Sequence, residues 1–142
     1  MEVSHVRKRL LMAIDRARKG AQARRQRAAD TERAYDTFLA EVATPVARML
    51  VTALKAEGYG FTVNTPGGGL RLVPDRGRDD FIDLALDTTV DPPEVMARIS
   101  YERGSRTITN ERAITPGAPP QSITDEDVLA FLLEALTPWL ER

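Results

Sequence analysis

The sequence lacks cysteine, has a single histidine, and contains no uninterrupted apolar run near the roughly 20 residues that a membrane-spanning helix needs. The absence of cysteine excludes disulfides, thiolate catalysis and cysteine-based zinc sites. A short apolar stretch near the start, residues 10–14, is ended by Asp15, so it is too short for the core of a signal peptide. We therefore expect a cytoplasmic protein that does not bind membranes.

Signatures of catalysis are missing as well. The one histidine, His5, has no group of potential partners close in sequence with which to act in acid–base chemistry or metal binding. The glycine-rich stretch 65–69 lacks the Lys-Ser/Thr pair of a phosphate-binding loop and leads into a pattern typical of a strand. We expect neither catalysis, nor a cofactor, nor a small-molecule ligand.

A cluster of carboxylates is the feature of the sequence that most resembles an active site. Four of them are candidate ligands for a hard cation such as Mg²⁺ or Ca²⁺: Asp79, Asp80, Asp83 and Asp87. Their spacing is not that of an EF-hand. Aspartates on the outer face of a half-exposed strand usually serve solvation, here with Arg71 or Arg98 as cross-strand partners. A carboxylate–metal enzyme is therefore the least favoured of the functions considered.

Formal charge is divided unevenly along the chain, although it sums to −1. Residues 1–35 contain ten Lys and Arg against four Asp and Glu, a net +6, whereas residues 36–142 contain ten against seventeen, a net −7. A basic segment attached to an acidic remainder predicts that the segment binds something, either an acidic protein surface or nucleic acid.

The first 43 residues predict a long basic amphipathic helix. Ala, Arg, Glu and Gln are strong helix formers and predominate here, and Gly20 alone disfavours a helix interior. Apolar residues recur at heptad spacing, as on the contact face of a coiled coil, although Arg24 and Thr31 interrupt one of the two seams. From these seams we expect five residues to carry association: Ile14, Ala21, Ala28, Tyr35 and Phe38.

An unbroken helix over residues 3–43 would be about 60 Å long, which exceeds the width of a domain of this size. It needs either a partner or a break, and Asp30 is the most favourable point for a break because aspartate is a good N-cap. A helical hairpin and an intermolecular coiled coil both stay open. Pro45 marks either a new helix start or a kink in a continuing helix.

The remainder of the chain predicts a sheet between helices. We expect a helix over 44–57, an antiparallel meander of five strands over 59–114, and a helix over 124–140 packed on the sheet. The fold class is therefore α+β, with the segment 1–43 and the sheet domain 44–142 forming one compact unit. The order of elements resembles that of small acidic secretion chaperones, dimers that clamp partner polypeptides, and the resemblance implies a binding role.

These features predict a non-enzymatic protein-interaction or assembly module that docks a partner, or a second copy in a homodimer, through its N-terminal helix. The alternative is a nucleic-acid-binding accessory protein, in which basic side chains neutralise phosphates and binding weakens with salt. Candidate contacts for that alternative are Arg16, Arg18, Lys19, Arg24, Arg25 and Arg27.

Overall fold

The computed structural model describes residues 1–76 and 79–142 and confirms the α+β class. Gly77 and Arg78, which fall within the predicted meander, lie outside the described residues. The helices are α1 (Val3–Phe38), α2 (Thr44–Ala56), α3 (Asp125–Ala135) and α4 (Thr137–Leu140). The strands are β1 (Phe61–Asn64), β2 (Leu70–Pro74), β3 (Phe81–Asp87), β4 (Glu94–Arg103) and β5 (Arg106–Ala113).

One helical rod runs without interruption from Val3 to Ala56, a length of about 80 Å. The break predicted near Asp30 was wrong, because neighbours on the same helix occupy its carboxylate. Gln26 Nε2 donates to Asp30 Oδ1 at 3.1 Å from one turn earlier, and Arg33 pairs with the same oxygen from the following turn. Asp30 therefore stabilises a helix interior and caps nothing.

Pro45 lies inside the rod, in the first turn of α2, so it kinks a continuing helix and does not start a new one. Its ring has no N–H and would collide with the carbonyl four residues earlier in a regular α-helix. The turn just before it, Leu39–Ala43, is π-helical, and the N–H of Thr44 bonds to the carbonyl of Leu39. This wider turn lets the helix pass the proline.

The strands form a meander in the order β1-β2-β3-β4-β5, with every neighbouring pair antiparallel, as predicted. Successive side chains of a strand point to opposite faces of the sheet, so every second side chain lies on the face that α2 and α3 cover. Leu72, Ile82 and Leu84 lie on that face and are fully buried. The opposite face carries charged side chains such as Arg71, Asp83 and Arg98 together with the half-buried Phe81 and Met96.

The helical layer is completed by both ends of the chain. The carboxyl end of α1 packs against the 3-10 turn Pro120–Ser122 and buries Tyr35 and Phe38. Thr124 caps α3 as expected, since its hydroxyl accepts from the N–H of Asp127 while the Asp127 carboxylate accepts from the N–H of Thr124. These contacts close a single apolar core between sheet and helices.

Candidate functional site: the projecting arm

The rod extends far beyond the core that anchors it. We call residues 1–19 the arm and residues 28–142 the body. Every residue of the arm is exposed, whereas α1 is half-buried at Ala28 and fully buried at Tyr35. The helical part of the arm is therefore about 25 Å of helix without any packing of its own.

Apolar side chains form a stripe along one side of the arm. Successive residues turn by about 100° around an α-helix, so residues separated by three, four or seven positions share a side. The stripe consists of Val3, Val6, Leu10, Ile14 and Ala17. Leu10 is 55% exposed and Ile14 36%. Leu11 and Met12 add further exposed apolar surface beside and opposite the stripe.

Basic side chains surround this stripe. The arm contains six Lys and Arg against Glu2 and Asp15, a net +4. Lys8, Arg16 and Lys19 project from the side opposite the stripe, and Lys19 pairs with Asp15 at 3.0 Å. The arm is thus amphipathic, with an apolar side that lacks a cover and a basic side suited to water or to an anionic surface.

The residues predicted to carry association divide between arm and body. Ile14 lies on the exposed arm, and Ala21 and Ala28 are half-buried where the rod approaches the body. Tyr35 and Phe38 are 3% and 2% exposed, so they belong to the chain's own core. Their heptad position made them candidates, but Pro120–Ser122, far away in sequence, covers that side of the helix.

Tyr35 also bonds to the sheet. Its hydroxyl donates to the carbonyl of Leu84 at 3.4 Å, and burial, with a smaller contribution from Asp36, raises the pKa of the phenol above its ordinary value. Tyr35 therefore joins the rod to the sheet at the point where the rod leaves the body.

The predicted nucleic-acid contacts do not form one continuous face. Arg16 and Lys19 project from the side opposite the stripe, whereas Arg24 falls close to the line of the stripe itself. Arg27 is committed to the body, where its guanidinium pairs with Asp91 at 3.6 Å. A phosphate backbone running along the rod would meet only part of this set at once.

The predicted cation ligands do not converge. Asp79 is exposed, Asp83 is paired with Arg71, and Asp87 accepts from the N–H and hydroxyl of Thr89. The bonds from Thr89 lower the pKa of the Asp87 carboxyl. Within residues 1–76 and 79–142, no group of three or more His, Cys, Asp or Glu side chains could hold a metal ion.

Asp80 has a structural role that the sequence did not suggest. It is 3% exposed and accepts hydrogen bonds from Trp139 Nε1 at 2.9 Å, from the N–H of Glu102 at 3.0 Å and from Arg142 at 3.4 Å. These donors come from β4 and from the end of the chain. A buried carboxylate satisfied in this way ties the C-terminal helix to the sheet.

The open face of the sheet carries a row of charges of alternating sign. Arg71 faces Asp83 across β2 and β3, Asp83 faces Arg98 across β3 and β4, and Arg98 faces Glu111 across β4 and β5. Two hydrogen bonds of 2.5 and 2.8 Å join Arg71 to Asp83, and they raise the pKa of the guanidinium. The predicted cross-strand partners of Asp83 are those observed, and the row leaves these charges compensated.

A surface depression of about 650 Å³ lies between β4, β5 and α4. Two of the cations that line it are paired, since Arg112 contacts Glu134 at 3.1 Å and Arg142 contacts Asp80, while Glu102, Arg103 and Glu141 are further charged lining residues. It is widely open to solvent and presents no nucleophile beside a base.

By length and composition alone, the rod Val3–Ala56 is long and apolar enough to cross a membrane. The core helix of a soluble protein passes the same test, so one such helix is weak evidence for a span. This rod places Phe38, Val46 and Leu50 in the core against the sheet, which accounts for part of its apolar character.

No family model, curated protein or solved structure matches the chain. Its function has to be inferred from its own geometry.

Proposed function

We propose that the protein is a non-enzymatic, cytoplasmic assembly module that associates through its arm, with a second copy or with another protein. The observation that carries this proposal is the exposure of the apolar stripe at Leu10 and Ile14, which no other part of residues 1–76 and 79–142 covers. Contiguous apolar surface is favourable to bury, at roughly 25 cal/mol per Å², and marks interaction sites when it is left open.

The stability of the helix is a second argument for association through the arm. Most helical stability in proteins comes from packing of the apolar side, so a stretch of helix without such packing is only marginally stable in water. The arm has no such packing within its own chain. Association would supply it, so binding and ordering of the arm are expected to occur together.

The test compares two substitutions on opposite sides of the arm. Ile14→Asp places a charge on the stripe, and Met12→Asp, the matched control, places the same charge on the side opposite it. We expect Ile14→Asp to reduce the mass measured by light scattering to that of the monomer, with the sheet signal in circular dichroism retained. Met12→Asp should keep the mass of the unmodified chain. An unchanged mass for Ile14→Asp would contradict the proposal.

Nucleic-acid binding is the second candidate, favoured by the exposure of Arg16, Arg18, Arg24 and Arg25 along the rod. Its expected signature is binding to a DNA or RNA duplex, measured by fluorescence anisotropy, that weakens steeply with salt and with Arg24/Arg25→Ala. Absence of binding at low salt would remove it.

A further inference from the structure

The stripe on α1 changes in size along its length. Its outer half carries branched side chains, Val3, Val6, Leu10 and Ile14, and its inner half carries Ala17, Ala21 and Ala28, with Arg24 near the same line. Large residues packed on large ones hold two helices apart, whereas large residues opposite small ones let them approach and interdigitate. The gradient therefore favours a partner helix with the same gradient in the opposite direction.

A second copy of α1, running antiparallel, has that gradient. With Leu10 opposite Ala21 of the second copy, Ile14 lies opposite Ala17 and Val3 opposite Ala28, and the relation is reciprocal as a twofold interface requires. Parallel pairing would set alanine on alanine along the inner half of the stripe, where little apolar area would be buried. It would also bring two basic arm tips together, which repel each other.

The body carries an acidic patch where the tip of such a partner would lie. We call residues 87–94, between β3 and β4, the acidic loop; it holds Asp87, Asp91 and Glu94, no basic residue, and the apolar side chain of Val90, which is 41% exposed. Arg27 of the same chain already pairs with Asp91 at 3.6 Å. The acidic loop therefore sits beside the stretch of α1 that would face the partner's residues 3–9.

We propose that two copies pair through α1 in antiparallel orientation, with the basic tip of each arm, residues 7–9, against the acidic loop of the other copy. This inference rests on the proposed function and identifies the partner of the arm as a second copy of the chain. The apolar stripe of each arm is covered by the inner half of the other rod. The acidic loop of each copy offsets the positive charge where its own Arg24 meets Arg7 of the second copy.

Spin-label distances test the orientation. The chain has no cysteine, so Ser4→Cys and Asp15→Cys each give one label, on the same side of the helix and about three turns apart. In the antiparallel pair the two labels at position 15 are close, whereas those at position 4 are displaced along the axis by about 35 Å. Electron–electron distance measurements should give a separation for position 4 that exceeds that for position 15 by about 20 Å. Equally short distances at both positions would overturn the proposal.

Charge reversal tests the contact between arm and acidic loop. Arg7→Glu/Lys8→Glu/Arg9→Glu makes the tip acidic, and Thr88→Lys/Asp91→Lys/Glu94→Lys changes the net charge of the acidic loop from −3 to +2. Each variant alone should dimerise at least about tenfold more weakly, because like charges then meet twice. An equimolar mixture restores opposite charges at both contacts and should recover the affinity of the unmodified chain. Unchanged affinity of either single variant, or no recovery in the mixture, would overturn the contact.

Failure of this pairing can be distinguished from failure of the proposed function. A dimer that Ile14→Asp dissociates, but whose labels are equally close at both positions, contradicts antiparallel pairing and leaves association through the arm standing. A chain that is monomeric at every concentration, but sediments with phosphatidylserine vesicles, contradicts the second copy as partner and shows that an anionic membrane covers the stripe. A monomer that binds neither contradicts the second copy as partner and leaves only association with another protein.

Discussion

The arm and the body use the same helix in opposite ways. Within the body, α1 buries Tyr35 and Phe38 among side chains that come from distant parts of the chain. Within the arm, Leu10 and Ile14 occupy the same two heptad positions as Phe38 and Tyr35 but remain exposed. A heptad pattern thus predicts which side of a helix is buried, but the partner depends on tertiary structure, so one pattern serves folding at one end and association at the other.

Truncating one leucine in the body and one in the arm should give the largest contrast. Leu132 belongs to α3 and is fully buried. Leu132→Ala should lower the free energy of unfolding by about 2–5 kcal/mol, because the substitution removes apolar contacts and leaves a cavity. Its neighbour Leu133 is exposed, and Leu133→Ala should change stability by less than about 0.5 kcal/mol. Leu10→Ala should behave like Leu133→Ala when urea denaturation is followed in dilute solution. A destabilisation by Leu10→Ala as large as that by Leu132→Ala would show that the arm is part of the folded core.

The bonds to Asp80 should give the next largest effect. Asp80→Ala leaves the indole N–H of Trp139 and the backbone N–H of Glu102 without their acceptor. We expect the free energy of unfolding, measured by thermal or urea denaturation, to fall by about 2–3 kcal/mol. Asp79→Ala, one position earlier and exposed, is the matched control and should be near neutral. Equal effects of the two would contradict a structural role for Asp80.

A smaller effect should be seen in alkaline solution. Because burial raises the pKa of Tyr35 above its ordinary value of 10.0, the unfolded chain loses this proton at a lower pH than the folded chain. The stability that Tyr35 contributes is therefore complete below pH 10 and falls as pH rises above it, by about 1 kcal/mol at pH 11. Tyr35→Phe should remove that part of the pH dependence of the free energy of unfolding. Tyr59 is half-buried, and Tyr59→Phe is the control, which should keep the pH dependence of the unmodified chain. If the free energy of unfolding of Tyr35→Phe and of the unmodified chain depended on pH in the same way, this role of Tyr35 would be contradicted.

Local patterns in the sequence predicted much of the body. Alternation of apolar and polar residues located the five-stranded meander over 59–114, and the strands lie between Phe61 and Ala113. Cross-strand chemistry gave Arg71 as the partner of Asp83. The Thr124 cap could also be read directly, because its partner Asp127 is three residues away. Each of these features depends on neighbours along the chain or across a tight hairpin.

Features that depend on distant contacts could not be predicted. Asp80 was grouped with candidate cation ligands because its donor Trp139 lies 59 residues later. Tyr35 and Phe38 were assigned to association because nothing nearby in sequence shows that Pro120–Ser122 covers them. The error at Asp30 was different: an N-cap signal was present, but the local partners Gln26 and Arg33 satisfied the same carboxylate within a continuing helix. Capping preference alone does not decide between these arrangements.

The central claim is that the arm is ordered by a second copy while the body is ordered by itself. Amide hydrogen exchange, read by mass spectrometry in dilute and in concentrated solution, tests it most directly because it follows both regions in one sample. We predict that protection of residues 3–19 rises with protein concentration while protection of β3 and β4 stays constant. Protection of the arm that does not depend on concentration would contradict the claim.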